Sequence, residues 1–385
     1  MQTRVIVIGG GYAGAKTVER LNAYNDIDVI LVDKNRFHYL QAETHEFIAG
    51  ISRLEDVTVD LERFCRDLHR PVTYTKCTVQ SIDFDRHLLH TDRGELSYDY
   101  LVIATGASTL FPKAIKGIDT HVRDIKSLRG ALYYRQQFEA FLFRQYERTD
   151  DRKGGFGVVV GGAGLSGVEI ITEMAERARK MGFTDHDITF TLVEPLATVL
   201  PGMDHFLIRE TEKRLDALRI RTVHGHFIRE VKETSIVLSN SEELPADIFI
   251  FTAGIAIQEP SKDAQVRLNP RGQILIDRFM RLEGRENVFV VGDAAEQKNN
   301  EGVLLPPTSQ AAKQGAKRVA ENIARSIGGV RLLPNATKMK GVVVALGGPH
   351  AAAVLFDRIR LKTPFAYWLK KVIFLLHALS LKHWL

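Results

Sequence analysis

Two glycine-rich turns, each between a short apolar run and a helix-like run, constrain the fold of this sequence more than any other feature. The first turn follows residues 5–8 and the second follows residues 157–160. Both have glycines at their first, third and sixth positions, namely Gly9, Gly11 and Gly14, then Gly162, Gly164 and Gly167. The first glycine permits a tight turn, the second lets a pyrophosphate approach the backbone, and the third lets helix pack on strand. We therefore predict an α/β chain with two Rossmann-like dinucleotide-binding domains.

An acidic residue ends the next predicted strand in both halves. Asp33 follows residues 29–32, and Glu194 follows residues 188–193. A carboxylate at this place accepts hydrogen bonds from the hydroxyls of a ribose. No arginine follows Glu194 closely to bind a 2′-phosphate, which favours NADH over NADPH in the second site. Neighbouring residues expected to line the cofactors are Tyr12, Ala13, Lys34 and Leu165.

Three further segments predict strands that return toward the bound groups. Residues 100–103 lead into one set of small residues, residues 248–251 lead into a second, and residues 287–291 lead into a Gly-Asp pair. Small residues let the chain cross close to a cofactor. Taken alone, an aspartate after a strand most commonly has a capping or turn role. The residues singled out at these three ends are Ala104, Thr105, Gly106, Gly254, Gly292 and Asp293.

Composition narrows the class of protein. A chain of 385 residues with 45% hydrophobic residues is long enough for two or three packed domains. A net charge of only +5 is weak evidence for nucleic-acid binding, and we expect none. Cys65 and Cys77 form neither a redox pair nor a zinc-ligand set, so we expect no metal site and a reducing compartment. The first apolar run is too short for a secretory leader and is interpreted as the first strand.

With the Gly-Asp segment added, the sequence resembles the two-dinucleotide-binding-domain flavoproteins. The resemblance implies that FAD is held by the first module with Asp293, which would hydrogen-bond the ribityl chain of the flavin. It also implies that NADH binds the inserted second module. We predict an FAD domain over 1–110 and 254–330, an NADH domain over 111–253, and a C-terminal membrane-association segment over 331–385. A long helix over 127–148 is expected to cross between the modules.

Residues 306–315 narrow the resemblance to type II NADH dehydrogenases. Two prolines precede a predicted cap at Thr308, and Gln310 and Gln314 lie four residues apart on one helix face. The resemblance implies that both glutamines orient a quinone near the flavin and that Lys340 places charge near the flavin ring. An exposed helix face is the structural alternative for the glutamines. Residues 37–45 depart from the family pattern, so we expect the quinone pocket or the flavin environment to differ here.

Glu169 is predicted in the first turn of the second module's helix. A carboxylate there is stabilised by the helix dipole whatever its function. We also consider a role in positioning the nicotinamide or managing protons. These two interpretations stay open on the sequence alone.

The C-terminal residues after Pro364 predict an amphipathic helix. An apolar arc is predicted opposite lysines on a solvent-facing side, with Trp368 and Trp384 flanking it. This pattern is typical of an interfacial membrane helix, and charge interrupts it too often for a span. The alternative is packing against the chain's own body or a second subunit, as in a homodimer. The arc comprises Phe365, Trp368, Leu369, Val372, Leu375, Leu376 and Leu379.

The leading hypothesis implied by the resemblance is a NADH:quinone oxidoreductase that pumps no protons and lies peripherally on the cytoplasmic face of the cell membrane. One alternative is a soluble NADH-dependent flavoprotein that reduces a ferredoxin-like protein or a small electrophile. Another is a redox-sensing binding protein that docks a partner through its C-terminal helix. Disulfide reductases and sulfide:quinone oxidoreductases need cysteine nucleophiles that this sequence lacks after Cys77.

Overall fold

The computed structural model describes residues 2–147, 155–257 and 266–382. Trp384 lies outside the described residues. The strands, in chain order, are β1 (Thr3–Ile8), β2 (Ile27–Asp33), β3 (Phe37–Tyr39), β4 (Thr58–Asp60), β5 (Thr73–Lys76), β6 (Val79–Asp83), β7 (Leu88–Thr91), β8 (Gly94–Ser97), β9 (Tyr100–Ile103), β10 (Ala107–Thr109), β11 (Phe156–Gly161), β12 (Ile188–Glu194), β13 (Arg221–His224), β14 (Ile228–Val231), β15 (Ser235–Leu238), β16 (Glu243–Pro245), β17 (Ile248–Phe251), β18 (Ile255–Ile257), β19 (Val288–Val290), β20 (Gly341–Ala345), β21 (Ala351–Leu355) and β22 (Ile359–Lys362).

The helices come between these strands and after the last of them. They are α1 (Tyr12–Leu21), α2 (Thr44–Ile48), α3 (Leu61–Arg66), α4 (Ile118–His121), α5 (Leu128–Tyr146), α6 (Leu165–Lys180), α7 (His205–Ala217), α8 (Ser309–Ile327) and α9 (Phe365–Lys382). Short 3-10 turns cover Gln41–Glu43 and Gly292–Ala294.

The first sheet is parallel and has the strand order β19-β9-β1-β2-β5. Its central strand β1 buries its last four residues completely or nearly so, as expected for a strand covered on both faces. α1 and α8 pack on one face with a core that includes Val7 and Val319. The other face, with Ile6 and Ile103, packs against the β6–β8 sheet. The chain therefore leaves this sheet after β9 and returns to it with β19.

The second sheet lies between those two visits and repeats the same design. It is parallel, with the order β13-β12-β11-β17. α6 covers one face and the antiparallel β14–β16 sheet covers the other. The predicted α/β fold with two Rossmann-like units is confirmed. The domain boundaries at residues 110, 253 and 330 stay predictions.

The predicted long helix over 127–148 appears as α5. Its start is fixed by Ser127, whose hydroxyl accepts a hydrogen bond from the Gly130 N–H at 3.0 Å. Phe138 and Phe141 of α5 are buried in the core that also holds α2 and α6. This helix therefore connects residues of the first unit with the second.

The C-terminal part forms an antiparallel sheet, β20–β22, followed by α9. One face of this sheet, with Val344 and Ala352, packs on α6 and α7. The opposite face, with Ala353 and Leu361, is covered by Ala366 of α9. No described helix is both long enough and apolar enough to cross a bilayer.

Lys370 and Lys371 of α9 face inward, so their predicted placement on the solvent side is wrong. Lys370 and Lys371 form ion pairs with Glu169 and Glu46, and their side chains are mostly buried. Burying carboxylates requires a partner cation, and α9 supplies two of them. Most of the predicted apolar arc consequently faces outward, including Phe365 at 72% exposure. Phe374 and Leu381, which interrupt the polar side in sequence, pack against the first unit.

Candidate functional site

The two glycine turns have matching geometry. Gly9 and Gly162 adopt φ values of +98° and +101°, which favour glycine. A Cβ on Gly14 would lie 1.7 Å from the Gly9 carbonyl oxygen, and one on Gly167 would lie 1.9 Å from the Gly162 oxygen. The third glycine in each copy therefore allows the helix to pack directly on the preceding turn.

The middle glycines have open space around them. A Cβ built on Gly11 or Gly164 meets no atom of the described residues within 4 Å. Both residues precede the first turn of a long helix, α1 or α6, whose N–H groups point toward this space. The openness and the helix dipole together make each position suitable for a pyrophosphate.

The two strand-end acids also occupy matching positions. Asp33 accepts hydrogen bonds from the N–H groups of Gly10 at 2.6 Å and Asn35 at 2.7 Å. Glu194 accepts them from Ala163 at 2.7 Å and Leu196 at 3.1 Å. Each carboxylate is thus held at the edge of its glycine turn, where it can receive ribose hydroxyls. Desolvation raises the pKa of Asp33, and the Gly10 hydrogen bond opposes that effect.

The segments after β9 and β19 border the first turn, and the segment after β17 borders the second turn. Ala104 follows β9, and its carbonyl oxygen would lie 2.4 Å from a Cβ on Gly9. Gly292 follows β19 with φ +79°, and a Cβ there would lie 3.1 Å from the Cβ of Ala13 on α1. Thr105, Gly106 and Gly254 lie at the corresponding ends of β9 and β17, and Gly254 contacts Leu110.

Asp293 does not cap a long helix. Its carboxylate forms an ion pair with Lys126 at 2.9 Å, and both side chains are about one-fifth exposed. Lys126 lies just before α5 and was not singled out in the sequence, because nothing local marks a lone lysine in a loop. This ion pair places the Lys126 ammonium beside the Gly-Asp segment, where we expect the flavin to bind.

The two glutamines of α8 hold a segment that we call the strap, residues 338–341. Thr308 caps the helix by accepting a hydrogen bond from the Ala311 N–H, as predicted. Gln310 accepts a hydrogen bond from the Lys340 N–H, and Gln314 donates one to the Lys338 carbonyl at 2.9 Å. Their amides therefore contact backbone instead of forming the exposed face weighed as an alternative. The Lys340 side chain is exposed.

Glu169 lies at the junction of α6, α9 and β20. It is the fifth residue of α6, so its predicted place in the first turn is wrong, since the helix begins only at Leu165. Its carboxylate accepts hydrogen bonds from the Lys370 ammonium at 2.8 Å and the Ala345 N–H at 3.0 Å. His45 Nε2 lies 3.2 Å from the same ammonium. A cavity of about 60 Å³ beside Glu169 is lined by Gln41, Thr44, His45, Lys126, Ser166 and Glu169.

Acidic side chains from α2 and the turn before it crowd the same region. Glu43, His45 and Glu46 offer ligand atoms within 4.8 Å of one another. The lysine pair supplies positive charge here, since Lys371 binds Glu46 and Lys370 approaches His45. We name the six residues Glu43, His45, Glu46, Glu169, Lys370 and Lys371 the α9 charge cluster.

Burial shifts the pKa values of Glu43 and His45 in the α9 charge cluster and that of the neighbouring Glu173. Desolvation raises the pKa of Glu43 to about 7, while Lys370 opposes the shift. Desolvation likewise raises the pKa of Glu173 to about 7, against a hydrogen bond from the Gly348 N–H. Desolvation and then Lys370 hold the pKa of His45 well below its usual value. His45 is therefore neutral near pH 7, and Glu43 exchanges a proton there.

We expect Glu43→Gln to change the pH dependence of stability. Between about pH 4.5 and 7 the unfolded carboxylate loses its proton while the native one keeps it, so the wild-type free energy of unfolding falls as pH rises. Glu43→Gln lacks this fall in the free energy of unfolding, because glutamine has no proton to titrate. Its stability relative to wild type should improve by on the order of 3 kcal/mol from acidic to mildly alkaline pH.

Urea unfolding at the two ends of this pH range measures the effect. Glu243→Gln is the matched control, because Glu243 is exposed and hydrogen bonds from Lys232 and Ser235 lower its pKa. An identical pH profile for wild type and Glu43→Gln would show that Glu43 titrates normally.

Sequence reasoning missed most of the α9 charge cluster. The lysines were recognised only as part of a polar face, and residues 37–45 only as a departure from a family pattern. Their meeting depends on how α9 docks, which no local spacing encodes. The available signal was the combination of acids at 43 and 46 with a helix that has only basic charges.

Comparisons with known proteins give a consistent result. A pattern for the family described as pyridine nucleotide-disulphide oxidoreductase matches residues 3–324. The protein named type II NADH:quinone oxidoreductase from Staphylococcus aureus strain MSSA476 is 27% identical over 383 residues, covering 96% of this chain and 94% of that protein. The protein of the same name from strain NCTC 8325 / PS 47 has the same identity and coverage.

Solved structures share the fold. NDH2 from Plasmodium falciparum in complex with NADH has a TM-score of 0.84 and 18% identity, covering 99% of this chain and 96% of that chain. The sulfide:quinone oxidoreductase from Aquifex aeolicus has a TM-score of 0.82 and 21% identity, covering 99% and 92%.

Proposed function

The chain belongs to the pyridine nucleotide-disulphide oxidoreductase family, and from this premise we propose that it is a type II NADH:quinone oxidoreductase. The observation that carries the proposal is the presence of two dinucleotide-binding turns, which we call cradles, in one chain. In each, the middle glycine has open space around it, and a strand-end carboxylate accepts a hydrogen bond from the turn. The near full-length match to relatives of that name supports it. Cys65 and Cys77 are free and buried, which disfavours thiol-based members of the family.

The first cradle has the features that FAD needs. The pyrophosphate would lie over Gly11 at the start of α1, and Asp33 would accept the ribose hydroxyls. Ala104 and Gly292 border this space closely, and Asp293 would contact the ribityl chain. Tyr12, Ala13, Lys34, Thr105 and Gly106 complete the proposed binding set. When bound, FAD supplies an acceptor for a hydride and a donor of two electrons.

The second cradle would hold NADH. Because Gly164 has no side chain, space remains there for the pyrophosphate, and Gly162 and Gly167 form the tight turn. The Glu194 carboxylate would accept hydrogen bonds from the ribose hydroxyls. Leu165 and Gly254 are the neighbouring contacts. A carboxylate at 194 repels a 2′-phosphate, so the site selects NADH over NADPH.

The strap and the start of α8 form the proposed quinone side of the site. Gln310 and Gln314 would orient the quinone, and their hydrogen bonds to the strap fix the backbone of Lys340. The N-terminal end of α8 provides positive potential for charge that develops nearby during reduction. Lys340 adds to that potential.

Glu169 is the proposed proton-handling residue. NADH provides a hydride, so forming a quinol also takes up one proton from solution. Glu169 shares the Lys370 ammonium with His45, and Glu43 close by exchanges a proton near pH 7. The α9 charge cluster can therefore hold and release a proton beside the cavity at Glu169.

Peripheral association with a membrane through α9 is the second part of the proposal. The outward-facing side chains Phe365, Trp368, Val372 and Leu375 are each about half exposed or more. Such a stripe binds in the interface of a bilayer, where a lipid-soluble quinone is available. We place the protein on the cytoplasmic face, in line with its free thiols. A homodimer that covers the same stripe is the competing expectation.

An anaerobic titration tests the redox function. We expect NADH to bleach the flavin absorbance of the purified holoenzyme rapidly, and NADPH to do so at least tenfold more slowly. A soluble quinone analogue added next should restore the absorbance within the turnover time. Both results follow from one donor site selective for NADH and one acceptor site for quinone.

The outcomes separate the alternatives. Bleaching without recovery on quinone would support a flavoprotein that reduces a ferredoxin-like protein or a small electrophile. Fast turnover with quinone would count against a redox-sensing binding protein. Equal bleaching by NADPH would remove the specificity assigned to Glu194.

A further inference from the structure

Charge is distributed unevenly along the chain. Residues 322–385 contain ten lysines and arginines and one acidic residue, Asp357, although the whole chain has a net charge of only +5. Lys370, Lys371 and Arg360 of this region are used in ion pairs with the body of the protein. Arg325 also pairs with Glu321, whereas Lys338, Lys340 and Arg358 form no ion pair with any described residue.

The tip of the β21–β22 hairpin exposes two large apolar side chains. Phe356 is 60% exposed and Ile359 is 49% exposed. Phe356 and Asp357 adopt positive φ values of 50° and 56°, which makes the turn tight. The Phe356 N–H donates to the Lys340 carbonyl at 2.9 Å, so the tip is tied to the strap.

Cations outnumber the one acidic residue, Asp357, at this tip. Lys338, Lys340 and Arg358 are exposed and form no ion pair within the described part of the chain. Lys317 of α8 is exposed as well, and Lys340 is near enough to contribute, after desolvation, Arg20 and Lys16, to lowering its pKa. We call Lys317, Lys338, Lys340, Phe356, Arg358 and Ile359 the hairpin-tip patch.

One residue of the hairpin-tip patch, Ile359, shares a sheet face with the start of α9. Ile359 lies on the same side of β22 as Leu361, because the two residues are separated by one position in a strand. Leu361 packs with Ala366 and Tyr367 at the start of α9. Ile359 therefore extends from the sheet face on which α9 lies.

We propose that the hairpin-tip patch inserts into a bilayer and binds anionic lipid headgroups. The inference rests on the proposed membrane association and adds a lipid class and a second contact to it. Apolar side chains ringed by lysine and arginine match the boundary between acyl chains and anionic headgroups. The near absence of acidic residues in this region favours such a surface over a mixed-charge protein interface.

Vesicle flotation of the full-length holoenzyme tests the proposal. Vesicles of phosphatidylcholine alone are compared with vesicles of equal parts phosphatidylcholine and phosphatidylglycerol. We expect much tighter binding to the second kind, weakened by salt. The variant K317Q/K338Q/R358Q should bind the anionic vesicles about a hundredfold more weakly, since each cation contributes about fivefold.

A second variant tests the apolar tip. F356S/I359S should bind both kinds of vesicle about tenfold or more weakly, because two exposed apolar side chains no longer enter the bilayer. F143S/F227S is its matched control, with side chains 62% and 57% exposed on other elements. R86Q/R93Q/K113Q removes three exposed cations elsewhere and controls for net charge.

The variant W368S/V372S separates this inference from the α9 proposal. If it loses vesicle binding while both patch variants bind like wild type, α9 alone docks and the inference is overturned. Equal wild-type binding to the two kinds of vesicle also overturns it. Self-association through the patch without vesicle binding would identify a protein interface instead. NADH oxidation with a soluble quinone needs no bilayer, so it reports on the redox function independently.

Discussion

Replacing Gly14 with alanine is expected to destabilise the protein and prevent flavin retention, whereas replacing Gly11 should remove only the flavin. The new Cβ at Gly14 would lie 1.7 Å from the backbone oxygen of Gly9, so α1 must move away from β1. Overpacking of this kind costs about 3 kcal/mol or more when only backbone can yield. At Gly11 the Cβ meets no atom of the described residues within 4 Å, and its φ of −73° suits alanine.

The flavin-to-protein absorbance ratio after gel filtration and thermal unfolding of the apoprotein measure the two effects. G11A apoprotein should unfold within about 0.5 kcal/mol of wild type, as surface substitutions do. Its FAD affinity should fall at least tenfold, since the methyl group occupies the space expected for the pyrophosphate.

The second module provides a matched pair. G164A should weaken NADH binding while flavin content stays normal, and G167A should destabilise the chain as G14A does. Wild-type flavin affinity in G11A would contradict the assignment of the first cradle to FAD. Wild-type stability in G14A would contradict the close contact between α1 and the turn.

These glycines illustrate what the sequence could predict. The roles of all three positions follow from strand, turn and helix geometry that is local to a few residues. The same holds for the Thr308 cap and for Ser127 at the start of α5. The contact between Gly14 and Gly9 and the hydrogen bonds of both caps join residues no more than five apart, so a linear pattern carries the information.

The placement of α9 shows where that reasoning stops. Periodicity identified its two faces but not which one meets the protein, because a lysine face normally lies in water. The acids that reverse this preference, Glu46 and Glu169, are more than two hundred residues away in sequence. The contacts of Gln310 and Gln314 with the strap are likewise set by how β20 packs, not by the spacing of the glutamines.

We expect Lys370→Met to lower both the rate of quinone turnover and the free energy of unfolding. Lys370 binds Glu169, and both side chains are less than one-fifth exposed. Removing one partner of a buried pair costs about 3 kcal/mol, because the other charge is left without compensation. The variant should also lose a cation that adds to burial in lowering the pKa of His45 and that opposes burial in lowering the pKa of Glu43.

Two comparisons separate catalysis from stability in that variant. Lys371→Met breaks the similar pair with Glu46 but does not contact Glu169, so its stability should fall comparably while quinone turnover falls much less. The double variant E169Q/K370M should recover about half of the lost stability, since it leaves no unpaired carboxylate.

Rapid-mixing kinetics locate the step that Lys370 affects. If the α9 charge cluster handles the proton for quinone reduction, flavin reduction by NADH in Lys370→Met stays near wild type while reoxidation by quinone slows at least tenfold. The pH profile of reoxidation should also shift, because Glu43 then titrates at a higher pH without the nearby ammonium. Equal slowing in Lys370→Met and Lys371→Met would assign both lysines to docking α9 alone, and the proton role of Glu169 would then be rejected.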